Sequence, residues 1–143
     1  MRPSWLVAAA IFSFVASSAV AEEPYEAFGS SGEPLLEATE TVDGTTLAYP
    51  TVGAARLFSI RLTVEPGGRT LLHHHPVPTY VYVLEGEFEL HYGDTVKTFK
   101  AGEALVEPLN KPTQVFNRGT VPLKMLVVQI ESTEIEGAAP EHP

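Results

Sequence analysis

Between residues 56 and 64, apolar and polar side chains alternate. Phe58, Ile60, Leu62 and Val64 fall on one side, and Leu57, Ser59, Arg61 and Thr63 on the other. A period of two marks a strand with one covered face. Residues 87–92 repeat the pattern, with Phe88, Leu90 and Tyr92 opposite Glu87, Glu89 and His91. Residues 79–84 and 121–130 are more continuously apolar, as strands covered on both faces are. Turn signals separate these runs, among them Asp43-Gly44, Pro66-Gly67-Gly68, Glu85-Gly86, Gly93-Asp94 and Ala101-Gly102. Eight or more short strands, spaced by roughly 8–12 residues, predict an all-β sandwich or barrel. No helical pattern intervenes, which argues against an α/β fold. A single jelly-roll β-barrel is the expected architecture, because rolling the sheet protects the edges of so many strands.

The ends of the chain read differently. MRPSWLVAAAIFSFVASSAVA carries a basic Arg2, an apolar run over 5–15 and a small-x-small site at Ala19-Val20-Ala21. That is the layout of a signal peptide over 1–21, cleaved after Ala21. The apolar run falls short of the roughly 20 residues a spanning helix needs. The expected product is therefore periplasmic or secreted, with no membrane attachment after signal cleavage. Residues 22–34 are acidic and glycine-bearing and predict a flexible arm. Residues 136–143, with Gly137 and two prolines, predict a flexible tail with nothing to bury. The barrel is expected over 35–135.

Composition narrows the function classes. The 143 residues suit one ordinary domain. With 9 basic and 18 acidic side chains the formal charge is −9, so no electrostatic footprint for nucleic acid exists. The absence of cysteine removes disulfide scaffolds, thiolate-bound zinc, iron–sulfur clusters and thiol catalysis. No glycine-rich loop opens a helix, and no nucleophile-elbow sequence is present. Glu65, Glu85, Glu103 and Glu107 lie near turns and read as solvated carboxylates.

The candidate chemistry lies at His73-His74-His75. On a strand, His73 and His75 share a face while His74 points away. Two imidazoles so placed can converge on one divalent transition metal, with iron, manganese, nickel and zinc as candidates. A polar strand end without a ligand is the alternative.

In this region the sequence resembles the cupin superfamily. Gly67, His73, His75 and Gly86 fall on the first cupin motif, and Gly102, Pro108 and Asn117 on the second. The phrase TYVYVLEGEFEL is similar to the strand–turn–strand that follows the first motif. The resemblance spans 57–129 and implies a pocket inside the barrel. Metal-bearing cupins typically use three histidines and a glutamate. Here Thr79 stands at the glutamate position and Thr113 at the third histidine, which implies a weak or degenerate metal site at His73 and His75. Strand parity adds Val81 to Thr79 and Val115 to Thr113 as pocket residues. His91, flanked by Glu87 and Glu89, is expected to face outward.

Three readings follow. The first is an exported cupin that binds a small-molecule ligand in a degenerate site. The second is a metal-dependent oxygenase, isomerase or lyase acting on a small organic substrate. The third is a homodimer that uses its outer sheet for partners.

Overall fold

The structure, a computed structural model, describes residues 29–140. The expected signal peptide and most of the expected arm lie outside the described residues. The chain divides into two compact units, Met1–Gly32 and Glu33–Pro143. Of the first, only residues 29–32 are described, and they are exposed and form no strand.

The second unit is all-β, with no helix among the described residues. Its strands are β1 (Ala55–Val64), β2 (His73–His74), β3 (Thr79–Glu85), β4 (Glu87–Tyr92) and β5 (Thr95–Lys100). They continue with β6 (Ala104–Val106), β7 (Thr113–Phe116), β8 (Leu123–Ser132) and β9 (Ala139–Pro140). One sheet runs β1-β8-β3-β6 and the other β5-β4-β7-β2-β9. The expected closed barrel is corrected here to two sheets packed face to face. Among the described residues no ladder joins the edge strands of one sheet, β1 and β6, to those of the other, β5 and β9.

The alternation that predicts β1 decides what the sandwich contains. β1 pairs antiparallel with β8, setting Leu62 opposite Met125, Ile60 opposite Val127 and Phe58 opposite Gln129. Opposed residues share a face, so the apolar stripe of β1 continues across the sheet. From the other sheet Phe88, Leu90 and Val115 meet Val81, Val83, Leu105 and Met125 in one buried cluster. Each such side chain stabilises the fold by about 1.5–3 kcal/mol through burial. Gly86 turns β3 into β4 with φ +80°, and a Cβ there would lie 2.9 Å from the Pro122 carbonyl. Only glycine meets both demands. Asn117 is fully buried, and its amide donates to the Val64 and Val121 carbonyls, each at 2.9 Å. It ties the end of β1 to the β7–β8 connection.

At one end of the sandwich the core rows turn polar. Above the row of Ile60, Val127, Val81 and Leu105 stands the row of Phe58, Gln129, Thr79 and Glu107. Glu107 continues β6 by one position, its N–H donating to the Thr79 carbonyl at 3.0 Å.

The tail also differs from its expected looseness. Ala139 and Pro140 pair with His74 and His73 as β9, and Gly137 is buried. What the tail buries is backbone: the Gly137 N–H donates to Glu131 at 2.8 Å, and its carbonyl accepts from the Gln129 amide at 2.9 Å.

Candidate metal centre

β2 is a short strand between β7 and β9; His73 lies on it and His75 just beyond its end, bridged to Leu109, and both line one cavity. Their Nε2 atoms approach to 3.1 Å. His75 is 3% exposed, so little water reaches it. Its Nε2 also lies 2.5 Å from a carboxylate oxygen of Glu107, a residue 4% exposed. Among the described residues His73, His75 and Glu107 form one cluster of potential ligands, with their ligand atoms within 4.8 Å of one another. His74 lies outside the cluster.

Backbone carbonyls decide how the two rings are used. His73 Nδ1 lies 2.8 Å from the Leu71 carbonyl, and His75 Nδ1 lies 2.7 Å from the Gly137 carbonyl. A carbonyl only accepts, so both Nδ1 atoms carry hydrogen and donate. In the neutral rings both lone pairs are then on Nε2, aimed at the same place as the Glu107 carboxylate. Three acceptors meeting in a buried space require a shared cation, either a proton or a metal ion. Without metal, a proton meets the need. Burial pulls the His75 pKa down, but the hydrogen bond and negative charge of Glu107, with the Gly137 carbonyl, outweigh it and raise the value above 6.5. Two imidazoles and a carboxylate also fit a divalent transition metal, as ligands whose other ring nitrogen is held by an acceptor.

The expected ligands His73 and His75 are thus brought together, and the structure adds Glu107, buried rather than solvated as its place near a turn suggests. It stands directly across the β3–β6 ladder from Thr79. The carboxylate missing from the cupin glutamate position is supplied by the neighbouring strand on the same face. A cue was available: Glu107 is two residues beyond Leu105, so it shares the inward parity of a core residue.

Of the four expected pocket residues, only Val115 lines the cavity beside the histidines. Thr79 and Thr113 are fully buried, but their hydroxyls are taken up by backbone, donating to the Val77 carbonyl at 3.2 Å and the His73 carbonyl at 3.3 Å. Val81 packs in the core one row below. The cavity measures about 160 Å³ and has an apolar wall formed by Phe58, Ile60, Leu62, Val115, Met125 and Val127. His91 stays out of this site, as expected. Its Nε2 lies 2.9 Å from Glu89, and its ring stands 4.5 Å from that of Phe116.

Residues 60–129 match the family model of the cupin domain. No curated protein matches the chain. Among solved structures it is similar to an uncharacterised Klebsiella pneumoniae protein with a double-stranded β-helix domain. That likeness has a TM-score of 0.53 at 22% identity, covering 65% of this chain and 81% of that one. It is also similar to the oxalate decarboxylase of Lactobacillus farciminis in its formate complex, with a TM-score of 0.50 and 23% identity over 59% of this chain and 26% of that one. The oxalate decarboxylase of Bacillus subtilis gives 0.51 and 23% over 59% and 23%. The chain spans about a quarter of the length of these decarboxylases, and at such identities the likeness is one of fold. The motif positions and the family match agree: the chain carries a cupin domain over residues 60–129.

Proposed function

We propose that this is an exported cupin that binds a small organic molecule beside a divalent metal held by His73, His75 and Glu107. The convergence of two Nε2 lone pairs and a buried carboxylate, with both Nδ1 hydrogens fixed on backbone carbonyls, carries this reading. The cavity opens onto those same side chains. The metal would be iron, manganese, nickel or zinc, all of which accept imidazole and carboxylate ligands. Export rests on the leader at 1–21, and self-association as a homodimer on the outer sheet faces.

A second reading, a metal-dependent oxygenase, isomerase or lyase, is favoured by the donor count. Three protein ligands leave coordination positions open toward the cavity. When bound, the metal supplies Lewis-acid polarisation of a ligand oxygen.

The test is metal content. Protein purified without an affinity tag should retain or take up one divalent ion per chain, measured by elemental analysis. The paired substitution His73→Ala and His75→Ala should remove it, and His74→Ala should not. Failure of the unsubstituted protein to bind any of the four metals overturns the reading. Intact mass of the exported product should correspond to a chain beginning at Glu22.

A further inference from the structure

The cavity beside the candidate centre is built for an uncharged body. Seven of its lining side chains are apolar, and no lysine or arginine is among the rest. The nearby arginine on the same sheet face, Arg56, is committed to Glu131, with its Nε at 2.6 Å and Nη2 at 2.5 Å from one carboxylate oxygen. The remaining polar groups are also engaged. The Thr70 hydroxyl accepts from the Val115 N–H at 3.0 Å, and the Gln129 amide donates to Gly137.

Charge then sets the ligand's head. Glu107 contributes one negative charge and the two neutral imidazoles none, so a divalent ion held there keeps one net positive charge. One anionic oxygen brings the site to neutrality. A second anionic group finds no cation in the cavity wall, and a buried uncompensated charge costs several kcal/mol.

Volume sets the body. At about 160 Å³ the space is close to the ~150 Å³ of an apolar protein cavity that binds benzene. One six-membered ring fills it.

We propose that the ligand of this site is a single apolar ring, or a body of that size, bearing one metal-ligating oxygen, and that compact dianions such as oxalate are excluded. The inference rests on the metal reading above for the head group and on the cavity alone for the body.

The experiment uses the full mature chain loaded with cobalt(II), whose visible absorption reports its ligands. Phenol should perturb the spectrum saturably, at least about tenfold more tightly than oxalate, a margin of roughly 1.4 kcal/mol. Phe58→Arg, at a position 41% exposed at the cavity edge, should gain oxalate binding without disturbing the core. A parallel arm uses metal-free protein and benzene, whose binding should raise the melting temperature. Val127→Phe, which fills the cavity, should abolish that rise. If cobalt does not bind but benzene does, the metal reading falls and the apolar body stands. If cobalt binds and oxalate saturates it more tightly than phenol, or if benzene gives no rise, the ligand class proposed here is overturned.

Discussion

Two histidine–glutamate pairs among the described residues are made of the same groups at similar distances. His75 and Glu107 meet at 2.5 Å with side chains 4% and 5% exposed, whereas His91 and Glu89 meet at 2.9 Å with side chains 32% and 33% exposed. The second pair lies on the outer face of β4, where Arg118 also reaches Glu89 at 3.5 Å and covers the Phe116 ring at 4.4 Å. Water screens it, so it contributes little to stability and prepares no chemistry. The first pair is enclosed, its ring is clamped at Nδ1, and a second imidazole faces it across 3.1 Å. The difference lies in the surroundings. Burial turns a surface contact into a site that must hold a cation.

The largest test of this contrast is the loss of each carboxylate in turn. Glu107→Gln keeps the volume but removes the anionic ligand. Metal affinity should fall beyond the roughly 10–100-fold expected for losing a merely supporting group. Glu89→Gln should leave it unchanged. Calorimetric titration with zinc and manganese checks both. Equal losses from the two variants would mean that the exposed pair is part of the site, and the contrast would fail.

A smaller effect is expected at the backbone that clamps His75. A Cβ on Gly137 would lie 2.4 Å from two Gln129 side-chain atoms and 2.6 Å from Glu131 Oε1. Those side chains are themselves hydrogen-bonded to the Gly137 peptide, so Gly137→Ala pushes away the groups that hold the carbonyl over Nδ1. Metal affinity should drop by about 10–100-fold, the scale of lost supporting contacts. Affinity within twofold of the unsubstituted protein would show that the tail does not orient His75.

How much of this was legible in the sequence follows the same line between side chain and surroundings. Long alternating strands such as β1 and β4 announce themselves, because each inward residue repeats at every second position. His73-x-His75 is equally visible, since two ligands on one strand need no knowledge of its neighbours. Glu107 is less so, because β6 spans only Ala104–Val106 and parity with Leu105 is its single local cue. Its closeness to His75 depends on which strand lies beside β3. The threonines misled in the opposite sense: their positions match the motif, but their hydroxyls satisfy backbone carbonyls. The part played by Gly137 leaves no side-chain trace, because it acts through its own N–H and C=O.

The smallest expected effects concern pH in the metal-free protein, where only the buried pair should respond between pH 5 and pH 9. For His75, burial opposes protonation but the hydrogen bond and charge of Glu107 win, so its folded pKa is raised above 6.5. The stability this adds is fully present below the unfolded value and is lost as pH rises through the folded one. For Glu89, the hydrogen bond from His91, with Arg118 assisting, lowers the pKa below 4.5. Its contribution is present above that value and is lost as pH falls through the folded pKa. Denaturant unfolding in EDTA from pH 5 to pH 9 should therefore show Glu107→Gln costing about 1.5–3 kcal/mol near pH 6, the range for a hydrogen bond to a charged group. That cost should shrink toward pH 9. Glu89→Gln should track the unsubstituted protein throughout, because solvent already screens the pair it disrupts. A Glu107→Gln cost that grows with pH would mean that His75 does not carry the shared proton, and the convergence of three acceptors on one cation would lose its metal-free half.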